Sequence, residues 1–189
     1  MIKIGLPKGG IKEKSMEVIK KITGIEMGNK KLNFKNDIYE FYLLKHRDIP
    51  KMINEGLLDA GITSYEWIKE SETDLKVLKE LDWCNTSIAL IGKEMKNGKA
   101  KCATEFFNVT NKYISERKLD IEVYKLSGSG EACIPGLFDY CVDCVETGET
   151  LKQNGLVVLD EILTSKVMLV CKDESVVEKD GFSKLLEVL

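Results

Sequence analysis

The sequence is poor in several features that mark specialised folds and sites. Its 189 residues include only one histidine, His46, so clustered imidazoles cannot form a metal centre within one chain. No apolar run reaches the roughly eighteen residues that a membrane-spanning helix needs. The start, MIKIGLPKGG, indicates a strand and a turn rather than a signal peptide. We therefore expect a cytoplasmic protein.

The chain also lacks a strong charge of either sign. Lysine and arginine total 28, aspartate and glutamate total 31, and the net charge is −3. A slightly acidic, well-solvated surface argues against nucleic acid or an anionic membrane as the main partner. The length is sufficient to bury roughly 70% of the unfolded surface, so a hydrophobic core needs no disulfide support.

The six cysteines fall mostly inside apolar runs, which favours core positions over disulfides in a cytoplasmic chain. Cys141 and Cys144 form a C-x-x-C pattern, and this pattern leaves a metal or redox role open. Residues three apart on a strand point to opposite faces, however. We therefore expect Cys141 and Cys144 to be separated.

Strand patterns alternate with helix patterns along the chain, which predicts a mainly parallel sheet covered on both sides. Ser64 is predicted to cap a helix at 65–69, and the polar segment 93–101 is predicted to connect two lobes. The predicted strands are 2–6, 39–44, 59–63, 76–78, 86–91, 121–126, 140–145, 160–162 and 167–171. The predicted helices include 11–22, 49–58 and 151–154, one that Thr104 caps and that continues to about residue 117, and a last one near the end.

The segment DYCVDCVETGETLKQNGL, residues 139–156, combines a buried strand, a turn with hydroxyls and glycine, and the start of a helix. The first N–H groups of a helix have no partner within the helix and point outward. Such a turn can therefore bind a phosphate through backbone donors. An ordinary connection between a strand and a helix has the same local pattern.

This segment resembles the phosphoribosyl-pyrophosphate (PRPP) binding segment of the ATP phosphoribosyltransferase family, which catalyses the first step of histidine biosynthesis. IGLPKGG, RDIPKMINEGLLDAGIT, ATEFFNVTNKYISERKLDIEVYKLSGSGE and GLVVLDEILTSKVMLVCK match other family segments in the same order. The resemblance implies an α/β chain with a two-lobed, type II periplasmic-binding-protein-like fold and a cleft between the lobes. It assigns residues 1–92 and 165–189 to the first lobe and 93–164 to the second.

The resemblance also implies a glycosyltransferase reaction. N1 of the adenine of ATP attacks C1 of the PRPP ribose, and pyrophosphate leaves with Mg2+ bound to it. The implied PRPP-binding residues are Glu131, Asp143, Glu146, Thr147, Gly148, Glu149, Thr150 and Leu151. The ATP and pyrophosphate side is implied to include Lys8, Gly9, Gly10 and Asp59. No residue stands out as a general acid or base, which suits catalysis by positioning and electrostatic stabilisation.

The length is similar to that of short-form family members, which form homo-oligomers and work with a regulatory subunit similar to histidyl-tRNA synthetase. Two alternatives stay open, and the first of them rests on Gly10, which stands where the family usually has an arginine. The chain could transfer phosphoribosyl to another acceptor, or it could be a non-catalytic, two-lobed ligand-binding or regulatory paralogue. Since a carboxylate repels phosphate, we predict that the Glu149 side chain points outward.

Overall fold

The structure, a computed structural model, describes residues 1–28, 30–128 and 130–189. The chain divides into two compact units. The first unit comprises Met1–Cys84 with Lys166–Leu189, and the second comprises Asn85–Ser165. Both boundaries fall inside long strands, whereas the sequence-based division lies at 92/93 and 164/165.

The secondary structure alternates between strands and helices. The strands are β1 (Ile2–Pro7), β2 (Asn33–Lys35), β3 (Tyr39–Leu44), β4 (Ala60–Ser64), β5 (Lys76–Gly92), β6 (Ala100–Thr104), β7 (Ile121–Lys125), β8 (Tyr140–Val145) and β9 (Val157–Cys171). The α-helices are α1 (Lys12–Thr23), α2 (Ile49–Asn54), α3 (Tyr65–Ser71), α4 (Phe107–Arg117), α5 (Glu149–Gln153) and α6 (Phe182–Val188). Within the described residues, no helix is both long enough and apolar enough to cross a membrane.

In the first unit the strand order is β2-β3-β1-β4-β9-β5. β1 pairs in parallel with β3 and β4, and β4 pairs antiparallel with β9. Every residue of β4 is buried, as expected for a strand covered on both faces. α2 packs tightly on β4, because a methyl group at Gly61 would lie 2.6 Å from Ile49 Cγ2. The carboxyl ends of β1, β3 and β4 lie at one edge of the sheet, since these strands are parallel.

In the second unit the order is β9-β5-β8-β6-β7. β8 pairs antiparallel with β5 and parallel with β6, and β6 pairs in parallel with β7. β8 has the predicted bounds, 140–145. Alternation along β8 buries Cys141 and exposes Cys144, so the two cysteines are separated as predicted. The carboxyl ends of β6, β7 and β8 share one edge.

Two long strands replace pairs of predicted short ones. β5 continues from Lys76 to Gly92 where the sequence predicted strands at 76–78 and 86–91. β9 continues through the gap predicted between 160–162 and 167–171. The two strands are neighbours in the sheet. Pairing with a neighbour satisfies the backbone donors and acceptors of the polar middle sections, which no local pattern reveals.

Strand β6 was not predicted, because Ala100 and Lys101 belong to the polar segment that was assigned as a connection. Four of its five residues are buried. As a consequence, the following helix begins at Phe107, and its N-cap is Phe106 and not the predicted Thr104. Thr104 Oγ1 donates to the Val142 carbonyl at 2.9 Å and accepts from Phe106 N at 2.9 Å. Thr104 therefore ties β6 to β8 and starts the turn into α4.

Candidate functional site

The candidate phosphate turn connects β8 to α5 in the second unit. Its chain reverses at Gly148, which has a left-handed φ of 70°. A methyl group at Gly148 would meet no atom nearer than Val145 Cγ1, at 4.0 Å. The backbone conformation, and not a lack of space, therefore favours glycine here. The predicted glycine after the helix, Gly155, also has a left-handed φ, of 64°.

The turn presents backbone donors that the described part of the chain leaves without acceptors. Glu149 N donates to Thr147 Oγ1 at 3.4 Å. Four further N–H groups find no acceptor among the residues that the structure describes, those of Thr147, Gly148, Thr150 and Leu151. Unsatisfied donors gathered in one turn are the arrangement that binds an anion.

A cavity of 270 Å³ lies against this turn. The residues that line it are Glu131, Cys144, Val145, Glu146, Thr147, Gly148, Thr150 and Leu151. The side chain of Glu149 is exposed, and Glu149 is not among the lining residues. The structure thus brings six of the eight predicted PRPP-binding residues to one cavity, without Asp143 and Glu149.

Glu131 reaches this cavity from a 3-10 turn, Gly130–Cys133, that packs on β8. A Cβ at Gly130 would lie 2.8 Å from Cys141 Cβ, so only glycine permits this close approach. Burial, with a smaller contribution from the negative charge of Asp143, raises the pKa of Glu131. Glu131 is therefore held near the cavity in a partly desolvated position.

Asp143 lies on β8, deeper than the turn. Burial raises the pKa of Asp143, and Cys144 N, which donates to Asp143 Oδ1 at 2.7 Å, opposes this rise. Burial therefore disfavours the charged forms of both carboxylates, and the charge of Asp143 adds to this effect at Glu131. Carboxylates with perturbed pKa values are common where proteins bind substrates.

Lys8, Gly9 and Gly10 lie in the first unit, just beyond the carboxyl end of β1. Lys8 N donates to the Leu44 carbonyl at 2.7 Å, and Lys12 N donates to the Gly9 carbonyl at 3.1 Å. Gly9 and Gly10 line a cavity of 540 Å³ together with one face of α1. These three residues therefore form a continuous turn, as predicted from the glycines.

The structure does not bring Asp59 to that turn. β1 and β4 pair in parallel with Ile4 opposite Ala60, so Asp59 lies at the amino ends of the strands. Its carboxylate accepts from Lys3 N at 2.8 Å and from Lys179 Nζ at 2.6 Å. Lys8 lies five positions after Lys3, roughly 16 Å along the strand. Asp59 therefore ties the start of β1 to the end of the chain.

The sequence-based reading missed a polar cluster at the carboxyl ends of β3 and β4, formed by His46, Ser64 and Glu66, here called the His46 cluster. Ser64 was predicted as a helix cap, but its hydroxyl makes no capping bond to the backbone of α3. Ser64 Oγ donates to Glu66 Oε1 at 2.6 Å and lies 3.3 Å from His46 Nδ1. The available signal was the single histidine of the chain, placed two residues after the predicted strand 39–44.

Comparison with known proteins assigns these features to a family. The HisG family model, described as ATP phosphoribosyltransferase, matches residues 45–189. A protein from Clostridium novyi named ATP phosphoribosyltransferase is 37% identical over 206 residues, covering 98% of this chain and 95% of the relative. The chain belongs to the ATP phosphoribosyltransferase family.

Solved structures agree with this ATP phosphoribosyltransferase assignment. The chain superposes on a subunit of the ATP phosphoribosyl transferase (HisG:HisZ) complex from Thermotoga maritima with a TM-score of 0.90, 30% identity and coverage of 100% and 97%. A putative L-cystine ABC transporter protein from Listeria monocytogenes shares the fold alone, with a TM-score of 0.65, 14% identity and coverage of 98% and 88%. The predicted two-lobed, periplasmic-binding-protein-like fold and the predicted transferase of histidine biosynthesis are both confirmed.

Proposed function

We propose that the chain transfers phosphoribosyl from PRPP to N1 of ATP and that the turn from Glu146 to Thr150 binds the 5-phosphate of PRPP. The observation that carries this assignment is the set of four backbone N–H groups around Gly148 that have no acceptor among the described residues and belong to residues lining a cavity. The hydroxyls of Thr147 and Thr150 add two more donors. Hydrogen bonds to a charged group contribute on the order of 1.5–3 kcal/mol each, so these donors suffice for useful affinity.

The carboxylates of Glu131 and Asp143 accept hydrogen bonds from the ribose hydroxyls in this proposal. When N1 attacks, a bond forms to C1 of the ribose and the bond from C1 to pyrophosphate breaks. Positive charge develops on the ribose ring as the leaving group departs. Two negatively charged carboxylates near the ring stabilise this developing positive charge. They therefore stabilise the transition state more than bound PRPP.

The leaving pyrophosphate needs cations. Lys8 follows β1 at the carboxyl edge of the first unit, and its ammonium group has no partner among the described residues. We assign Lys8 and the backbone of Gly9 and Gly10 to the pyrophosphate. Their side-chain and amide hydrogens are the donors that a phosphate requires.

Mg2+ is the proposed cofactor, and when bound to the pyrophosphate it would neutralise part of the charge of the leaving group. Mg2+ usually binds through one or two carboxylates plus substrate phosphates, keeping several waters. The described residues contain no group of three or more potential metal ligands. Glu131, which lines the cavity, and Asp143, on the neighbouring strand β8, would supply the one or two carboxylates that a metal shared with the substrate needs.

The proposed setting is a cytoplasmic homo-oligomer that works with a regulatory subunit similar to histidyl-tRNA synthetase. The solved Thermotoga relative in a HisG:HisZ complex supports a two-component enzyme. Nucleic acid and membranes are not proposed as partners, in keeping with the net charge of −3.

Pyrophosphate release from PRPP and Mg2+, with and without ATP, tests the proposed reaction. The protein should be assayed alone and with the regulatory subunit added. We expect release that depends on ATP, with a product that carries phosphoribosyl on N1. Release with a different base but not with ATP would assign the chain to another acceptor, which Gly10 in place of an arginine would then explain. PRPP binding without release under any condition would indicate a non-catalytic paralogue.

A further inference from the structure

The His46 cluster is a built polar site at the carboxyl edge of the first unit. Ser64 and Glu66 are only 7% and 5% exposed, although both are polar. Thr63 Oγ1 donates to the His46 carbonyl at 3.0 Å, so the backbone of His46 is held as well as its ring. Burying several polar groups is costly unless they are paired, and here they pair with one another. Such an arrangement holds the imidazole in one orientation.

The hydrogen bonds determine which ring nitrogen carries the proton. A serine hydroxyl has a single hydrogen, and Ser64 donates it to Glu66 at 2.6 Å. Ser64 Oγ can therefore only accept from His46, which requires the proton on Nδ1. Burial lowers the pKa of His46 to about 4, so the ring is neutral at pH 7. His46 Nε2 then bears a lone pair, and it has no partner among the described residues.

We propose that His46 Nε2 accepts a hydrogen bond from the exocyclic amino group of the adenine of ATP. Ser64 and Glu66 act as positioning residues, because they hold the proton on Nδ1. The inference rests on the proposed function, since it takes ATP as the second substrate. His46 would thereby recognise an adenine and discriminate against a purine without the amino group.

The chemistry of the substrates narrows what Nε2 can bind. Ionised phosphates only accept hydrogen bonds, so they are repelled by a neutral imidazole lone pair. The donors that ATP offers are its ribose hydroxyls and its amino group. The amino group adjoins N1, the attacking atom, so a bond to it orients the nucleophile.

The same contact is expected to strengthen during the reaction. As N1 forms its bond to C1, the purine ring loses electron density and the amino N–H becomes a stronger donor. An interaction that is stronger in the transition state than in the ground state raises kcat. Loss of His46 should therefore lower kcat as well as raise KM for ATP.

Nuclear magnetic resonance can test this directly, because His46 is the only histidine in the chain. Long-range nitrogen–proton spectra of histidine-labelled protein would report the tautomer without overlap. We expect the proton on Nδ1 in the free protein. On saturation with ATP we expect a shift of Nε2 typical of a new hydrogen bond, and a much smaller shift with the triphosphate of purine riboside, which lacks the amino group. A proton on Nε2 in the free protein, or equal shifts with both nucleotides, would overturn the proposal.

Kinetics with the same two nucleotides provide a second test. We expect wild type to favour ATP over the purine riboside nucleotide by about tenfold or more in kcat/KM, because a site built to bind an amino group rejects the analogue. The variant His46→Phe should lose most of this preference by slowing the reaction of ATP alone. Equal slowing with both nucleotides would indicate a structural role or contact with the ribose, and would contradict the inference.

A matched pair of serine variants separates positioning from packing. Ser64→Ala should move the imidazole proton to Nε2 and reduce the preference for ATP about as much as His46→Phe. Ser71→Ala removes another hydrogen-bonded hydroxyl, donated to the Ile68 carbonyl at 2.9 Å at the far end of α3. It should leave the tautomer and the preference unchanged. If the His46 tautomer is unchanged in Ser64→Ala, then Ser64 does not position the imidazole proton.

Failure of this inference is distinguishable from failure of the proposed function. If ATP neither binds nor elicits pyrophosphate release, both fall together. If ATP reacts while the His46 signals and the nucleotide preference stay unchanged, only the role of His46 is wrong.

Discussion

The carboxyl edges of the two units place functional groups in contrasting ways. In the second unit, the turn after β8 presents backbone N–H groups from consecutive residues around Gly148. In the first unit, the His46 cluster joins side chains from the ends of two strands, eighteen positions apart in the sequence. The first arrangement is local and the second depends on the pairing of β1 with both β3 and β4.

This difference shows that the chemistry of the ligand determines whether a site is built from backbone groups or from side chains. A phosphate needs several donors that fan out from one point, and a turn before a helix supplies them whatever the side chains are. A base needs one donor or acceptor in a fixed direction, which a held side chain supplies. We therefore expect substitutions in the second unit to act through backbone and charge, and those in the first to act through single atoms.

The largest expected effect tests the role of charge in the second unit. Asp143→Asn should lower kcat/KM about 100-fold, because it removes a carboxylate from the developing positive charge. Burial raises the pKa of Asp143, so the folded state binds more protons than the unfolded state and loses stability as the pH rises above about 3.8. At pH 7 the neutral variant should therefore be more stable, by about 0.5–2 kcal/mol in urea unfolding.

Asp139→Asn is the control, because its expected change in stability has the opposite sign to that of Asp143→Asn. Hydrogen bonds from Lys96 Nζ and Lys101 N lower the pKa of Asp139, so its charged form stabilises the fold above about pH 4 and this contribution is lost at lower pH. This variant should lose up to about 1 kcal/mol at pH 7 and retain activity. Equal stability changes for the two aspartates would contradict the distinction between a site carboxylate and a structural one.

A pH experiment examines the first unit. Burial lowers the pKa of His46 from 6.5 to about 4. Between these values the unfolded state binds a proton that the folded state does not, so stability falls as the pH drops from 6.5 to 4. On going from neutral pH to pH 4.5, we expect wild type to lose roughly 2 kcal/mol more free energy of unfolding than His46→Phe loses. Unfolding experiments on both proteins at the two pH values would measure this difference. Parallel pH profiles for the two proteins would show that His46 is not held neutral.

A pair of glycine variants tests the backbone site. Gly148 and Gly155 have similar left-handed φ angles, 70° and 64°, and a methyl group at either would meet no atom closer than 4.0 Å. Alanine at either position should cost roughly 1–2 kcal/mol of stability. Only Gly148→Ala, in the cavity lining, should weaken PRPP binding, by about tenfold in calorimetry. Equal loss of affinity in both variants would place the phosphate elsewhere.

The smallest expected effect is in thiol labelling of the wild-type protein. Cys144 is exposed and lines the cavity, whereas Cys141 is buried and burial raises its pKa. Iodoacetamide should therefore label Cys144 well before Cys141, since the thiolate is the reactive form. PRPP should slow labelling of Cys144 severalfold and leave half-buried Cys84, in the first unit, unchanged. Mass spectrometry would quantify the labelling rates of Cys144 and Cys84 with and without PRPP. Protection of Cys84 alone would contradict the assignment of PRPP to the cavity beside Cys144.

Prediction from the sequence succeeded where structure is local. Tyr140–Val145 was predicted with the correct bounds because its apolar run is continuous and a turn follows it. It failed at Ala100–Thr104, which is short and follows a polar segment, and which is a strand because β7 and β8 pair with it on either side. The polar middle sections of β5 and β9 were not predicted either, because they too are strands only through pairing with neighbouring strands.

The sequence by itself determined the family, the alternating α/β order and the turn around Gly148, because each depends on residues that are adjacent or on motifs that keep their order. Only the tertiary structure separated Asp59 from Lys8 and brought His46 to Ser64 and Glu66. Parallel pairing decides which loops share an edge of a sheet, and that register is set by packing between residues far apart in the chain.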